Sequence, residues 1–156
     1  MHTFSDDRGW SFMSIFDHVP ALGAAQFNAS MMYAGAIKAW HRHAKQDDYW
    51  VVLCGDLKIG LFNTERSPRT AQLRFAGAAE DKTLVIGPGA GKVVHLGEHS
   101  PGILHIPAGV WHGGVAVGGR SAMLLYYVTR KYVPSNPDEE RRPWDEFDFD
   151  WSVDFK

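Results

Sequence analysis

The stretch Tyr49-Trp50-Val51-Val52-Leu53-Cys54-Gly55-Asp56-Leu57-Lys58-Ile59-Gly60-Leu61-Phe62 decides the fold class. Its second half alternates strictly, with Leu57, Ile59 and Leu61 on one face of an extended chain and Lys58, Gly60 and Phe62 on the other. Side chains alternate between faces in a β-strand, so this is a strand with an apolar face. The apolar run Tyr49 to Cys54 reads as a second strand. Gly55-Asp56 reads as the hairpin turn joining the two, since glycine tolerates the positive φ such a turn demands. Further outward, short runs bounded by Gly, Pro, Asn or Asp lie at Ser30 to Ala34, Ile37 to His41, Ala71 to Phe75, Thr83 to Ile86, Ile103 to Ile106, Val115 to Val117 and Ala122 to Thr129. About nine short strands at this spacing predict an all-β double-sheet sandwich or barrel with little helix, in which closure removes exposed edges.

A chain of 156 residues suits one domain over 1–156, with a core barrel at 25–130, an N-terminal arm at 1–24 and a C-terminal tail at 131–156. Sixteen Lys and Arg against eighteen Asp and Glu leave a charge of -2, which argues against a nucleic-acid partner, because phosphate backbones demand a basic surplus. No stretch reaches the roughly 20 apolar residues of a membrane span. Asp6, Asp7 and Arg8 interrupt any signal-peptide run, and the lone Cys54 between apolar neighbours reads as a core thiol in a reducing compartment, so a cytoplasmic protein is expected. Gly87-Pro88-Gly89-Ala90-Gly91 reads as a loop, without the Lys-Ser/Thr ending of a phosphate-binding loop. After Pro134 the chain turns charged and aromatic. Trp144, Phe147 and Trp151 are costly to leave wet, so the tail is expected to fold back across the barrel.

Of eight histidines, His2, His18, His95 and His99 lie in polar or terminal contexts and read as surface. His41 and His43, two apart on an extended chain, project to one face. Their setting is Gly35, five residues, His41-Arg42-His43, four residues, Asp48, six residues, Gly55; later come Gly102, four residues, Pro107-Ala108-Gly109, two residues, His112. Three imidazoles and a carboxylate are a chemically suitable set for a divalent first-row metal. The spacing resembles the two motifs of the cupin superfamily, with Asp48 at the usual Glu position.

A narrower resemblance covers most of the chain. Asp7-Arg8-Gly9-Trp10-Ser11-Phe12, Gln26-Phe27-Asn28-Ala29-Ser30, Gly35-Ala36-Ile37-Lys38-Ala39-Trp40-His41, Asn63 to Thr70, Ile106-Pro107-Ala108-Gly109-Val110-Trp111-His112-Gly113, Ala122 to Pro134 and Trp144-Asp145-Glu146 follow in order segments similar to those of the dTDP-4-dehydrorhamnose 3,5-epimerase family. That resemblance implies a cupin jelly-roll barrel and an isomerase of carbohydrate biosynthesis that removes a proton beside the ketone of a dTDP-4-keto-6-deoxy sugar. It implies His41 as base, Tyr126 as acid on the far face, and Asp145 or Glu146 as the carboxylate orienting His41. It also implies Arg8, Gln26, Asn28, Lys38 and His112 as substrate-binding residues, no required cofactor, and a homodimer in which the Arg8 segment reaches a neighbour's site.

Two positions depart from the family. Asp48 stands where the family carries the Lys that stabilises the enolate, and His43 where it carries Gln. Both changes move the site toward a metal cage of His41, His43, Asp48 and His112. A metal-dependent, dioxygenase-like cupin enzyme and a non-catalytic sugar- or nucleotide-binding cupin are therefore the alternatives.

Overall fold

The computed structural model describes residues 2–13 and 25–153, with side chains for 6–9 and 25–153. His18 and residues 14–24 of the expected arm lie outside the described residues, as do the side chains of His2 and of Trp10-Ser11-Phe12. Among the described residues thirteen strands follow in order: β1 (His2–Asp6), β2 (Gly9–Met13), β3 (Gln26–Met32), β4 (Ile37–Arg42), β5 (Asp48–Cys54), β6 (Asp56–Asn63), β7 (Arg69–Phe75), β8 (Lys82–Ile86), β9 (Ala90–Gly97), β10 (Gly102–Ile106), β11 (Trp111–Val117), β12 (Ala122–Val128) and β13 (Glu140–Arg141). They form an eight-stranded antiparallel sheet in the order β1-β2-β3-β12-β5-β10-β7-β8 and a five-stranded one in the order β13-β4-β11-β6-β9. The chain is an all-β cupin jelly roll, and among the described residues no helix is long and apolar enough to cross a membrane.

The deciding stretch is two strands, as the alternation predicts, but they do not form a hairpin. β5 pairs with β12 and β10, whereas β6 pairs with β11 and β9, so Gly55 is a corner that carries the chain from one sheet to the other. Gly55 has φ of 68°, and a Cβ there would lie 2.4 Å from the Ser121 carbonyl oxygen. Both the conformation and the close approach require glycine. Leu57, Ile59 and Leu61 are wholly buried between the sheets with Leu104 and Ile106. Cys54 is exposed rather than core. Opposite Met123 and Leu124 the register of β5 slips, Cys54 pairing with Met123 and Val52 with Leu124, so Leu53 is an extra residue and the alternation breaks before the thiol.

Three further differences have local causes. The glycine-rich loop ends at Gly89, and β9 begins at Ala90 with Val94 and Leu96 facing inward. β3 starts at Gln26 rather than Ser30, because its inward positions Gln26, Asn28 and Ser30 are polar and mask the period of a core strand. The β1–β2 hairpin extends the eight-stranded sheet of its own chain through β2 and β3.

The tail does fold back. Trp40, Phe62 and Trp111 project from the outer face of the five-stranded sheet and are covered by Phe147, Phe149 and Trp151, with Phe62 and Phe147 stacked at 4.4 Å. The indoles of Trp40 and Trp151 both donate to the Trp144 carbonyl, at 3.0 and 3.1 Å, while the Trp144 ring is itself about half exposed. Lys58, outward on β6, donates its ammonium to the Ser152 carbonyl at 2.6 Å. Gly60 makes room for this layer: a Cβ there would lie 2.7–2.8 Å from ring atoms of Trp40, Phe149 and Trp151. Gly60→Ala is therefore expected to lower stability by about 1–3 kcal/mol through overpacking. A urea melt would show the loss, and tryptophan emission should shift red before the main transition as the tail lifts.

Candidate active site

Both sheets contribute to one cavity of about 530 Å³. From the five-stranded sheet come Lys38 and His41; from the eight-stranded sheet come Gln26, Asn28, Asp48 and Tyr126. Met32, Trp50 and Leu124 belong both to the apolar core and to the cavity wall. The site thus grows out of the core.

His41 on β4 lies directly across from His112 on β11, with ring centroids 4.2 Å apart. His43 lies 5.8 Å from His41 and 5.6 Å from His112, and one donor atom from each of His41, His43, Asp48 and His112 lies within 4.8 Å of the others. Asp48 is 2% exposed. Its carboxylate accepts from Gln46 Nε2 at 2.9 Å and Trp50 Nε1 at 3.1 Å, with His43 Nε2 at 3.8 Å and His112 Nε2 at 3.7 Å. Burial alone would raise this carboxyl, but the contacts with His112, then the charge of His43 and the Gln46 bond, outweigh it and hold the group below the usual carboxylate range.

The second nitrogens set the ring orientations. His112 Nδ1–H donates to the Val110 carbonyl at 2.9 Å, and His43 Nδ1–H donates to the Asp138 carbonyl. With Nδ1 committed to a carbonyl, each ring turns its Nε2 atom toward Asp48. His112 Nε2 is buried and has no hydrogen-bond partner among the described residues. The donor set, the inward Nε2 atoms and this orphaned nitrogen fit a divalent first-row metal.

His41 lies against Trp50 and His112, at 6.1 and 4.2 Å. Burial first, then the charges of His112 and His43, drive its pKa well below the ordinary histidine value, so its imidazole is neutral at neutral pH. Tyr126 pairs with Trp50 across β12 and β5, and burial together with the Asp48 charge raises its pKa, so its phenol stays protonated. The two side chains enter the cavity from opposite sheets, one able to accept a proton and the other to donate one.

A comparison with curated proteins places 33% identity over 157 residues, 97% of this chain and 91% of the relative, on the spore coat polysaccharide biosynthesis protein SpsL of Bacillus subtilis. The chain belongs to the SpsL family. A second relative, named "Probable low-salt glycan biosynthesis epimerase Agl13", from Haloferax volcanii, is 36% identical over 118 residues, 74% of this chain and 64% of that protein. Among solved structures, a dTDP sugar isomerase from Desulfovibrio desulfuricans aligns with a TM-score of 0.63 at 21% identity, over 96% of this chain and 86% of that one. No protein-family model matches the chain.

Within this SpsL-family site, the structure brings together His41, His43, Asp48, His112, Tyr126, Gln26, Asn28, Lys38 and Arg8. Arg8 sits in the turn between β1 and β2 and lines its own chain's cavity, where Asp6 takes its charge: Nη2 lies 2.5 Å from the carboxylate, and the Arg8 bonds hold the Asp6 carboxyl down at about 2. Lys38 Nζ donates to Ser30 Oγ at 3.1 Å and to the Met31 carbonyl at 3.0 Å.

Asp145 and Glu146 are not brought in. Both are exposed on the tail and neither lines the cavity, because the aromatic layer anchors this segment on the outer face of the sheet; Glu146 faces Arg142 at 3.7 Å instead. The carboxylate beside His41 is Asp48. Asp138 and Arg141 escape a sequence reading, since they lie in a charged run that looks solvated. Arg141 pairs with His41 through β13, and the Asp138 carboxylate accepts the Ala44 and Lys45 amides at 3.0 and 2.9 Å. Gln46 and Trp50 do carry a signal, lying two residues either side of Asp48 and hence on its face of an extended chain.

The depressed His41 pKa sets the expected pH behaviour. A folded-state value below 6.5 means that the unfolded chain takes up a proton the folded chain refuses, so this contribution to stability is lost as pH falls below 6.5. Urea midpoints should drop between about pH 7 and about pH 5, and the drop should shrink in His41→Asn. If His41 is the base, the acidic limb of kcat/KM lies below pH 6.5.

Proposed function

We propose that this protein is a nucleotide-sugar epimerase or isomerase acting on a dTDP-4-keto-6-deoxy sugar. The observation that carries the reading is the placement of a neutral imidazole, His41, and a protonated phenol, Tyr126, on opposite walls of one cavity. Epimerisation beside a ketone needs that arrangement. The C–H bond breaks as the imidazole takes the proton, its electron pair passes into the C4 ketone as an enolate, and a new C–H bond forms from the phenol on the other face. Both groups then exchange protons with solvent, and no oxidant or reductant is required. The names of SpsL, Agl13 and the Desulfovibrio isomerase support the class, and the cavity is of the size used for small ligands. Asp48 takes the part of the carboxylate that supports the imidazolium. A homodimer and a cytoplasmic setting belong to the same reading, carried by the family resemblance and by a single cysteine with no partner in the chain.

The unpartnered His112 Nε2 favours a second reading, in which His41, His43, Asp48 and His112 hold a divalent first-row ion. Bound there, such an ion would supply Lewis-acid stabilisation to an oxygen of the ligand. His41 would then be committed as a ligand and could not serve as base.

Incubation with a dTDP-4-keto-6-deoxy sugar in heavy water is expected to wash deuterium into C3, C5 or both; absence of enzyme-dependent exchange with any nucleotide sugar would overturn the epimerase reading. His41→Asn should abolish exchange, while His43→Gln should leave most of it, because the family tolerates Gln at that position. Equal loss in both variants, with bound metal falling in parallel in elemental analysis, would establish the metal site in its place.

A further inference from the structure

Where the eight-stranded sheet lines the cavity, its inward side chains stand in three columns. β3 contributes Gln26, Asn28 and Ser30, β12 contributes Leu124, Tyr126 and Val128, and β5 contributes Asp48 and Trp50. Strand register sets their rows: Tyr126 lies between Asn28 and Trp50, Val128 lies between Gln26 and Asp48, and Leu124 lies beside Ser30. The two ends of the cavity therefore differ in character. The Val128 end leads to Asp48 and the histidines that face it, whereas the Leu124 end leads to Met32, the next inward residue of β3.

At the Met32 end the facing sheet presents Gly114. This glycine lies two residues beyond His112 on β11, shares its inward face, and lines the cavity together with Met32 and Leu124. The fold does not demand a glycine at this position. A Cβ on Gly114 would make ordinary contacts, 3.6 Å from the Lys58 carbonyl oxygen, 3.7 Å from Met32 Cε and 3.9 Å from Leu57 Cδ1, and its φ is not positive. Gly113 is the crowded neighbour: a Cβ there would lie 2.4 Å from Ala39 Cβ, so the irregular pairing of β4 with β11 is accommodated by Gly113. Glycine inside a strand commonly marks a close approach by a ligand. At Gly114 the missing side chain leaves a recess whose walls are the thioether methyl of Met32 and, on the adjoining strand, Leu124.

We infer that this recess seats the C6 methyl group of the sugar, and that Gly114 is the specificity-determining residue that admits a 6-deoxy carbon. The inference rests on the epimerase reading above and deepens it. The two carbons flanking the C4 ketone differ in their substituents, C3 bearing a hydroxyl and C5 bearing the ring oxygen and the methyl. A methyl placed against Met32 and Leu124 gains burial. A hydroxyl placed there gives up its hydrogen bonds to water without equal return from a thioether and an isobutyl group. Leu124 precedes Tyr126 by two residues on the same face, so a sugar with C6 in the recess brings C5 and the ketone before the phenol and directs its C3 hydroxyl toward the polar row of Gln26 and Asp48.

The test is calorimetric titration of the full chain with dTDP-6-deoxyglucose and dTDP-glucose, which differ by one hydroxyl at C6, alongside the exchange assay. The parent is expected to bind the 6-deoxy compound about tenfold more tightly or better. Gly114→Ala, whose new methyl occupies the recess without crowding the backbone, should weaken the 6-deoxy compound by about tenfold, bring the preference toward unity and leave the urea midpoint near that of the parent. Equal affinity of the parent for the two compounds would overturn the seat, and so would a preference that survives unchanged in Gly114→Ala; exchange in the parent would still keep the epimerase reading. A preference that Gly114→Ala abolishes, in a protein that shows no exchange with any nucleotide sugar, would sustain the seat and sink the epimerase. Exchange in the parent without measurable binding of either compound would overturn the seat alone.

Discussion

A carboxylate held between two β-sheets with 2% exposure is the constraint around which this molecule is arranged. An ion taken out of water is tolerable only when donors replace its hydration. Asp48 obtains them from Gln46 and Trp50 on its own chain segment, and it faces the Nε2 atoms of His43 and His112, which come from the opposite sheet and the loop following it. Those imidazoles must be held at fixed angles, and their Nδ1 atoms are tied to the Val110 and Asp138 carbonyls. The Asp138 tie reaches into the C-terminal tail. Burying one charge therefore couples strand β5, the ends of β4 and β11, and a segment nearly one hundred residues away.

The tail serves both layers of this arrangement. Its aromatic residues cover Trp40, Phe62 and Trp111, which a solvated five-stranded sheet would expose, and its strand β13 pairs with β4 beside His41 and Arg42. The Arg42 guanidinium, 4.8 Å from the Trp111 ring, bonds Glu140 at 2.8 Å and so fastens the same junction from outside. Packing on the outer face and geometry in the cavity are consequently one problem. A substitution that lifts the tail also releases the carbonyl that orients His43.

Most of the architecture was legible in local pattern, and the failures are instructive because each has a physical origin. Leu57, Ile59 and Leu61 announce an inward face that is wholly buried. Gly55 announces a turn but not its kind, because a positive φ serves a hairpin and an inter-sheet corner equally, and pairing partners far away in sequence decide between them. The slipped register at Leu53 turns Cys54 outward, and no local residue type signals it. β3 is hidden by the same polar residues, Gln26, Asn28 and Ser30, that make it a cavity wall. In the site, His41 and His43 are found by strand periodicity, which puts them on one face, and Asp48 and His112 by the spacing that resembles the cupin motifs. Asp145 was the natural orienting carboxylate by analogy alone, whereas what decides the matter is the docking of the aromatic tail, a long-range packing event.

The presence of Asp48 at the family's lysine position reshapes the electrostatics of the proposed reaction rather than simply opposing it. A carboxylate about 5 Å from a developing enolate, at an effective dielectric near 20, costs about 3 kcal/mol. Proton transfer to neutral His41 creates an imidazolium in the same step, and Asp48 favours that charge, as its upward pull on the His41 pKa records. Enolate and imidazolium form together, so the effect of Asp48 on the barrier is the difference between two Coulomb terms and falls toward zero as the carboxylate lies equally near both. What the missing lysine no longer supplies must then come from donors aimed at the enolate oxygen. Lys38 is a candidate within the cavity: its ammonium has three N–H groups and two are engaged by Ser30 and Met31, leaving one for the ligand. Its half-buried position lowers its pKa through desolvation, which makes that remaining N–H a stronger electrostatic partner for an oxyanion than the same group in water. On this reading the carboxylate supports the base, the lysine on β4 supports the enolate, and the roles that the wider family assigns to a tail acid and a β5 lysine are exchanged between the two sheets.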